Sequence, residues 1–317
     1  MYYIGIDLGG TNIAAGVVDD QYQMLAKHSV KTGSSRGAAP VIDDMAETAR
    51  EAARQAGIDW EQIEWVGVGT PGTCNKATGV VEYANNLDWY DVPLVKLLEE
   101  RLGKKVYIEN DANAAAYGEY LAGAAKGADI SVMVTLGTGV GGGVIINNRI
   151  YTGFNFAGAE IGHEVIMMDG RECTCGRRGC LEAYASATGL IRTTREHMER
   201  DKGSAMWELC GGDLSKVSGR TAFQAMRAGD AAGTAAVEEY IRHLACGITN
   251  IINTFQPDIL CVGGGICHEG DYLMKPLKEI VSREVYSRNS PRNTEIVAAK
   301  LENAAGIIGA ALLGKAD

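Results

Sequence analysis

Residues 107–119 place a carboxylate where a strand pattern changes into a helix pattern. An apolar run that begins at Val106 ends at the polar pair Asn110 and Asp111, and an alanine-rich helical pattern follows at once. Either polar side chain can cap that helix, because its oxygen can accept the free N–H groups of the first turn. A carboxylate at the carboxyl end of a strand also lies where α/β proteins bind their ligands. The pattern therefore predicts a helix cap, and it is also typical of a ligand-binding or catalytic carboxylate.

A second group of reactive side chains combines His163 with Cys173, Cys175 and Cys180, in the spacing H-x₉-C-x-C-x₄-C. Three cysteines and one histidine match the ligands of a closed tetrahedral Zn²⁺ site. Buried thiols in a loop are the alternative, which agrees poorly with a charged, irregular segment. The other five cysteines are scattered through apolar segments, and this arrangement favours a metal site plus buried thiols over disulfides. We therefore predict a structural zinc site.

A glycine-rich turn follows the first predicted strand and contains Asp7, Gly9, Gly10, Thr11 and Asn12. Glycines let backbone N–H groups approach a phosphate, a threonine offers a hydroxyl, and an aspartate can hold a water on Mg²⁺. A plain hairpin turn would explain the same residues. The turn is therefore a candidate phosphate-binding loop.

A second glycine-rich segment, residues 137–143, includes Thr138 and Gly139 and satisfies the dinucleotide pattern G-x-G-x-x-G. That fingerprint requires a helix directly after the glycines. Residues 144–146 have a strand pattern instead, so we reject a dinucleotide site and predict a second hairpin that binds phosphates. A third cluster ends a later strand, where a nucleotide base or ribose could lie against the backbone, with close helix packing as the alternative: Gly263, Gly264 and Gly265.

The elements that must position these residues form an α/β pattern. In the first part of the chain, the predicted strands are residues 2–8, 13–18, 24–30, 63–68 and 105–109. The first three are separated by short turns and predict an antiparallel meander, whereas residues 79–89 predict a loop. The sequence of strand, small-residue loop and strand recurs at residues 130–146. This internal similarity predicts two related domains that face a cleft.

The predicted helices have apolar residues at helical spacing and lie at residues 39–56, 92–102, 181–199, 220–228, 233–255, 273–281 and 304–313. Residues 152–180 are irregular, and residues 258–262 and 295–299 predict the last strands. We place the smaller domain at residues 1–119 with 302–317 and the larger domain at residues 120–301. The segment 198–217 has no functional interpretation from its sequence.

Length and composition exclude several classes of protein. A chain of 317 residues can build two hydrophobic cores, and its 46% hydrophobic and 22% charged residues are typical of globular proteins. The formal net charge of −10 argues against a nucleic-acid-binding surface. No apolar run approaches the roughly 20 residues of a membrane span. The first residues have a strand pattern and not that of a signal peptide, so we expect a cytoplasmic protein without membrane or nucleic-acid partners.

Taken together, these motifs resemble the ROK family of sugar kinases and repressors, within the actin-like ATPase superfamily. The resemblance covers essentially the whole chain and is closest to the bacterial ATP-dependent glucokinases of that family. It implies an α/β, two-domain actin-like ATPase (ribonuclease H-like) fold with a cleft between the domains. The motifs that carry it are DLGGT (7–11), GTPG (69–72), NDAN (110–113), LGTGVG (136–141), EIGH (160–163), CTCGRRGCLE (173–182) and GGG (263–265).

The resemblance also implies a role for each candidate residue. Asp111 would accept the proton of a sugar 6-hydroxyl while that oxygen attacks the γ-phosphorus of ATP. The glycine loops would hold the ATP phosphates with Mg²⁺. His163 would place one ring nitrogen on zinc and donate from the other to the sugar, so that zinc has a structural role. The full set of sugar-binding residues would be Gly69, Gly72, Asn110, Asp111, Glu160, His163 and Glu182.

We therefore expect ATP-dependent phosphorylation of a hexose at its 6-hydroxyl, with glucose as the sugar, in a homodimer or higher homo-oligomer by analogy with the family. An N-acetylhexosamine kinase or a fructokinase of the same family is an alternative, because pocket loops and not motifs decide the sugar. A non-catalytic sugar-sensing regulator is a further alternative. The intact Asp111 and both phosphate loops argue against it, as does the lack of the repressors' helix-turn-helix domain.

Overall fold

The structure, a computed structural model, describes residues 1–316. In these residues the strands are β1 (Tyr2–Leu8), β2 (Asn12–Asp19), β3 (Met24–Lys31), β4 (Ile63–Thr70), β5 (Thr73–Asn75), β6 (Val80–Ala84), β7 (Trp89–Val92), β8 (Lys105–Asn110), β9 (Ile130–Leu136), β10 (Val140–Ile146), β11 (Arg149–Ile150), β12 (Ile259–Gly263) and β13 (Glu295–Ala298). The α-helices are α1 (Ala38–Ala56), α2 (Leu94–Leu102), α3 (Asp111–Ala122), α4 (Glu182–Ala185), α5 (Ala187–Arg200), α6 (Met206–Leu209), α7 (Thr221–Arg227), α8 (Ala231–Phe255), α9 (Asp271–Glu284) and α10 (Ala305–Ala311).

The first sheet has the strand order β3-β2-β1-β4-β8. β1 and β3 are both antiparallel to β2, which confirms the predicted meander. β1 is parallel to β4, and β4 is parallel to β8. Apolar side chains of β1 are fully buried with those of α1, among them Ile4, Ile6 and Ile42, and this burial stabilises the sheet through the hydrophobic effect. Because parallel strands end at the same edge, the ends of β1, β4 and β8 lie side by side.

The second sheet has the order β11-β10-β9-β12-β13. β10 and β11 are antiparallel, and β12 and β13 are parallel. In both sheets, three consecutive strands are followed by two strands from later in the chain. The predicted recurrence of strand, loop and strand is therefore confirmed.

A third sheet, of three strands in the order β5-β6-β7, replaces the loop predicted at residues 79–89. That prediction was wrong because the strands are short and bury only part of their side chains. Val81 pairs with Val92, and both are buried. Tyr83 pairs with Tyr90, and both are exposed, with ring centroids 5.3 Å apart. A 3₁₀ turn (Asn85–Leu87) separates β6 from β7 and interrupts the alternation of apolar and polar residues by which these strands could have been recognised.

Two further predictions need correction. The glycine loop at residues 137–143 is shorter than predicted, because β10 already begins at Val140. A Cβ at Gly143 would lie 2.4 Å from the Ala116 Cβ, so the glycine lets this strand approach α3 closely. The single helix predicted at residues 181–199 is two helices, α4 and α5. Ser186 separates them, and its Oγ accepts the Gly189 N–H at 3.0 Å as the cap of α5.

Contacts divide the chain into two compact units. The first comprises Met1–Met133, Gly143–Ala159 and Ala299–Asp317, and the second comprises Val134–Gly142 and Glu160–Ala298. These units differ in extent from the domains 1–119 with 302–317 and 120–301, because residues near α3 also hold the base of the β9–β10 hairpin. The domain boundaries stay a prediction. Within residues 1–316, no helix combines the length and the apolar character that a membrane crossing needs.

Candidate functional site

Asp111 is the first residue of α3 and follows directly on β8. Asn110 caps the helix, since its Oδ1 accepts the N–H groups of Ala112 and Asn113 at 2.9 and 3.2 Å. Asp111 is therefore not the cap, although its Oδ1 also lies 2.9 Å from the Ala112 nitrogen. The Asp111 carboxylate is half-buried, and burial raises its pKa against the opposing effect of backbone N–H groups. Such a group is a better proton acceptor than an ordinary aspartate.

Asp7 supplies a second carboxylate at the same edge of the first sheet. The register pairs Asp7 with Gly69, and Gly69 in turn with Glu109, next to the Asn110–Asp111 pair. Burial and the negative charge of Asp111 raise the pKa of Asp7 to about 6, and Lys27 opposes that shift. Burial of both carboxylates and the effect of the Asp111 charge on Asp7 make negative charge costly here, and a bound cation would reduce that cost.

Glu109 is a buried residue of this site that the sequence interpretation did not identify. It is 3% exposed, and its Oε1 accepts the Asn110 N–H at 2.9 Å and the Asn113 amide at 3.0 Å. The Lys76 ammonium lies 4.0 Å from its other oxygen. Glu109 therefore fixes the backbone from which Asn110 and Asp111 project. An acidic residue at the end of an apolar strand was the only signal in the sequence.

Gly69 and Gly72 both lie beside Asn110 and Asp111. The Asn110 amide donates to the Gly72 carbonyl at 3.2 Å. Gly72 has φ +94°, and a Cβ there would lie 2.0 Å from the Tyr83 oxygen, so the fold itself requires this glycine. A Cβ at Gly69 would lie 3.1 Å from that of Ala114. The two backbones thus form the wall next to Asn110 and Asp111.

The first glycine loop is a tight turn between β1 and β2. The Gly9 N–H donates to the Asn12 carbonyl at 2.9 Å, and the Thr32 hydroxyl donates to the Gly9 carbonyl at 2.6 Å. Thr11 and Asn12 are exposed. A Cβ at Gly10 would meet nothing closer than 3.5 Å. Because Asn86 would lie at an ordinary contact distance, neighbouring residues do not require a glycine at position 10, and the missing side chain leaves room for a phosphate group.

The second glycine loop joins β9 to β10 through residues 137–139. α5 holds it in place, since the Ala187 N–H donates to the Gly137 carbonyl at 2.8 Å and the Thr188 hydroxyl to the Thr138 carbonyl at 2.9 Å. A Cβ at Gly137 would meet nothing within 4 Å, so this position is open. The loop is a second phosphate-sized turn whose peptide groups are partly free for a ligand.

Residues 263–265 leave β12 and enter a 3₁₀ turn. Gly264 has φ +98°, and a Cβ there would lie 2.3 Å from the Leu136 oxygen. Close packing therefore explains Gly264. A Cβ at Gly265 would meet nothing within 4 Å, so packing does not require this glycine, and both Gly264 and Gly265 are exposed.

The four predicted metal ligands come together. One side-chain donor atom each of His163, Cys173, Cys175 and Cys180 lies within 4.8 Å of the others. The Cys173 Sγ is 3.6 Å from His163 Nδ1, and the sulfurs of Cys175 and Cys180 are 3.7 Å apart. A tetrahedron with Zn–S bonds of about 2.3 Å has edges of about 3.8 Å, so the donor set fits zinc in both chemistry and size.

Without a metal, electrostatics in this cluster oppose the thiolate form of Cys180. Burial, together with the hydrogen bonds that its thiol makes to Cys175 and Cys173, raises the pKa of Cys180 to about 12. A divalent cation reverses that preference, because the thiolate is the form that binds metal. The cluster can therefore hold a metal ion as a closed cross-link within the loop 163–180.

The remaining sugar-binding candidates flank this loop. Glu160 is exposed and precedes the 3₁₀ turn that contains His163. Glu182 begins α4, and its carboxylate accepts the Val140 N–H at 3.0 Å and the Thr174 hydroxyl at 3.1 Å. His163 thus belongs to residues 163–180, the metal loop, and Glu182 bonds to Thr174 of that loop. The other candidates belong to the first unit: Gly69, Gly72, Asn110 and Asp111.

Comparison with known proteins gives a consistent result. The family model of the ROK family matches residues 3–317. A glucokinase of Thermotoga maritima is 39% identical over 313 residues, which cover 98% of this chain and 96% of that protein. A glucokinase of Streptomyces coelicolor is 37% identical over 98% of this chain and 97% of that protein. The crystal structure of a ROK family glucokinase from Streptomyces griseus, in complex with glucose and AMPPNP, has a TM-score of 0.84 at 35% identity and 99% coverage of each chain.

The structural match confirms that the chain has the two-domain actin-like ATPase fold. The two sheets of corresponding strand order and the two glycine hairpins agree with it. The family model covers nearly the whole chain, and the two glucokinase relatives do so at well above 30% identity. On this basis the chain belongs to the ROK family.

Proposed function

We propose that this chain is an ATP-dependent glucokinase, which transfers the γ-phosphoryl group of ATP to the 6-hydroxyl of glucose. The observation that carries the proposal is the half-buried carboxylate of Asp111 at the junction of β8 and α3. The relatives from Thermotoga maritima and Streptomyces griseus support glucose as the acceptor and ATP as the donor.

Asp111 acts as the proton acceptor. The sugar O6 forms a bond to the γ-phosphorus, the bond from that phosphorus to the β,γ-bridging oxygen breaks, and ADP leaves. The proton of the 6-hydroxyl passes to the Asp111 carboxylate. The raised pKa of Asp111 supports this role, because a more basic carboxylate accepts the proton more readily. Asn110 and Glu109 hold the carboxylate in place from behind.

The other sugar hydroxyls are bound by polar side chains and by backbone groups. Asn110 donates one amide N–H to Gly72, and its second N–H can bond a ligand, because its Oδ1 already accepts two backbone N–H groups. The carboxylates of Glu160 and Glu182 can accept sugar O–H groups, and the backbones of Gly69 and Gly72 form a wall. Multiple fixed partners of this kind orient O6 toward the phosphate, which contributes strongly to phosphoryl transfer.

The glycine loops bind ATP. Gly9, Gly10, Thr11 and Asn12 form the first loop, and Thr138 and Gly139 belong to the second. Asp7 would hold Mg²⁺ through water, and the bound ion would neutralise charge on the phosphate oxygens. Gly263, Gly264 and Gly265 provide backbone for the adenosine, and Gly264 and Gly265 are both exposed. The open space at Gly137 and the missing side chain at Gly10 support close approach of phosphate groups.

The metal loop binds one structural Zn²⁺ through His163, Cys173, Cys175 and Cys180. The distances within the cluster support this assignment. When bound, zinc would cross-link the loop and leave no open position for a catalytic water. Nδ1 is the ring nitrogen of His163 that faces Cys173, so Nε2 keeps its proton and can donate to a sugar hydroxyl.

A kinase for an N-acetylhexosamine or for fructose is the alternative within the family. Four relatives at 34–39% identity are glucokinases, which supports glucose over both alternatives. The homo-oligomeric state and the cytoplasmic location stay predictions.

The replacement Asp111→Asn tests the proposed role of this carboxylate. The amide keeps the size and can still accept at Oδ1, but it cannot take up the proton. We expect kcat to fall by about two to four orders of magnitude, while calorimetric titration shows glucose binding with a Kd close to that of the unchanged protein. A variant with nearly normal kcat would show that Asp111 serves only the start of α3.

A further inference from the structure

The carboxylate of Glu182 connects the second glycine loop to the metal loop. Its Oε2 accepts the Val140 N–H at 3.0 Å, and its Oε1 accepts the Thr174 hydroxyl at 3.1 Å. The Cys173 Sγ also lies 3.6 Å from Oε1, but a metal-bound thiolate has no proton to donate. The Thr174–Glu182–Val140 chain is therefore the connection that persists when a metal is bound.

One end of this connection lies at the glycine loop itself. Val140 is the first residue after residues 137–139, and it begins β10. A Cβ at Gly139 would lie 2.3 Å from the Glu182 Oε2, so the glycine is what allows the carboxylate to reach the loop. The Glu182 charge thus fixes the peptide group that closes the hairpin turn.

The other end is held by metal ligands. Thr174 lies between Cys173 and Cys175, and both neighbours belong to the donor cluster. The backbone before Glu182 is also tied to the metal loop, because the Leu181 N–H donates to the Glu164 carbonyl at 2.8 Å. Leu181 is fully buried, which anchors the start of α4. The position of the carboxylate therefore depends on the order of the metal loop.

We propose that Glu182 is a positioning residue for the ATP-binding hairpin, and that through Thr174 it makes ATP affinity depend on the metal loop. This inference rests on the proposed function, in which the hairpin binds ATP phosphates. It adds to the role of Glu182 as a sugar ligand, since a carboxylate can accept about four hydrogen bonds and two protein donors leave room for a sugar hydroxyl.

The two roles of Glu182 make different predictions for a protein without sugar. A sugar ligand alone has no effect on nucleotide affinity when glucose is absent. A positioning residue changes that affinity whether or not glucose is present, because Val140 loses its partner. Titration of AMPPNP without glucose therefore isolates the proposed role.

Thr174→Val removes the donor hydroxyl and keeps the shape of the side chain. Glu182→Gln places an amide N–H₂ opposite one of the two donors. Thr254→Val is the matched control, because its hydroxyl bonds only to the Asn250 carbonyl within α8. We expect the AMPPNP Kd, measured by calorimetry without glucose, to rise about three- to tenfold in Thr174→Val and at least as much in Glu182→Gln.

Two further measurements complete the test. In the double variant, the effects on AMPPNP Kd should be less than additive, because both changes break one connection. Removal of the metal by a chelator should weaken AMPPNP binding to the unchanged protein and have little further effect on Glu182→Gln. Zinc content per chain should stay the same in Thr174→Val and in the control.

An unchanged AMPPNP Kd in Thr174→Val and Glu182→Gln would overturn the inference, as would fully additive effects in the double variant. Failure of the proposed function has a different signature. In that case the unchanged protein itself would not bind AMPPNP or would not phosphorylate glucose, whatever the variants do.

Discussion

In the protein without ligands, the negative charge of Asp7 lowers the free energy of unfolding. Its carboxylate has a pKa of about 6, raised by burial and by the charge of Asp111, compared with 3.8 for an unperturbed aspartate. An ionised Asp7 is therefore disfavoured in the folded state relative to the unfolded chain. This cost is absent below about pH 4, grows as the pH rises toward 6, and is complete above it. A bound cation would remove it.

Asp7→Asn should therefore stabilise the protein at neutral pH. We expect the free energy of unfolding at pH 7 to rise by about 1–3 kcal/mol, since each pKa unit corresponds to about 1.4 kcal/mol, and to change little at pH 4. Urea unfolding of both proteins at the two pH values, without Mg²⁺, measures this difference. The same variant should lose most of its activity, because a neutral amide holds Mg²⁺ poorly. An equal change in stability at pH 4 and pH 7 would contradict the electrostatic explanation.

At the residue scale, the sequence allows prediction of interactions that are local in the chain. The cap at Asn110 follows from the neighbouring residues, and the metal ligands follow from their types and spacing. Glu109 was not identified, although its hydrogen bonds to Asn110 and Asn113 are local, because an acidic residue at the end of a strand pattern does not by itself indicate that its side chain is buried. The hydrogen bond from Val140 to Glu182 joins residues far apart in sequence, and no local pattern indicates it.

At the scale of elements, the two glycine hairpins bring open backbone to corresponding positions of two sheets. Gly137 has free space where a Cβ would lie, and a Cβ at Gly10 would make only ordinary contacts with Asn86 at 3.5 Å, whereas Gly139 approaches Glu182. Position 137 is therefore the better place to test the second loop, because a side chain at position 139 would displace a sugar-binding candidate as well.

Gly10→Val and Gly137→Val should each weaken ATP binding, because the new methyl groups would occupy the space that phosphate oxygens need. We expect the AMPPNP Kd to rise by about ten- to a hundredfold, with a small change in glucose Kd. Gly219→Val is a matched control for Gly137→Val, because a Cβ at Gly219 would likewise meet nothing within 4 Å and Gly219 lies outside both loops. Equal losses of AMPPNP and glucose affinity would mean that these glycines serve folding and not phosphate binding.

The sequence pattern predicted both hairpins because strands with turn residues between them give a strong periodic signal. The small sheet β5-β6-β7 escaped prediction because its strands are short and expose Tyr83 and Tyr90. The break at Ser186 was missed for a related reason: residues on either side of it continue the helical spacing, and only the capping geometry separates α4 from α5.

At the scale of the whole molecule, we expect the segment that contains the metal loop to depend on a bound metal ion for its order. Residues 152–180 contain no α-helix and only isolated bridges such as that between Val165 and Cys180. A loop of this length with little regular structure needs other cross-links to stay ordered. The His163–Cys173–Cys175–Cys180 cluster can supply such a cross-link.

Elemental analysis should find one zinc per chain, and Cys175→Ser should reduce it. The variant should also raise the glucose KM by about tenfold or more with a smaller fall in kcat, because His163 loses its fixed orientation. Cys246→Ser is the control, since Cys246 lies on α8 outside the cluster. If zinc-free protein had an unchanged glucose KM, the proposed dependence of sugar binding on the metal would be wrong.

The fold class and the family could be recognised from motifs that span the chain, because each motif has a physical requirement that few other residues satisfy. The identity of the sugar could not be recognised from motifs in this way. It depends on the shape of a pocket and on side chains such as Glu160 and Glu182, whose types suit several hexoses. Assays with different sugars therefore test the account better than any further motif.

The most direct test of the central claim is ADP release by the purified protein with ATP and Mg²⁺ across five sugars: glucose, mannose, fructose, N-acetylglucosamine and N-acetylmannosamine. We expect the highest kcat/KM with glucose, by about tenfold or more over the N-acetyl sugars, and phosphorus NMR should identify glucose 6-phosphate as the product. A preference for fructose or an N-acetylhexosamine, phosphorylation at another hydroxyl, or no ADP release with any sugar would contradict the assignment as a glucokinase.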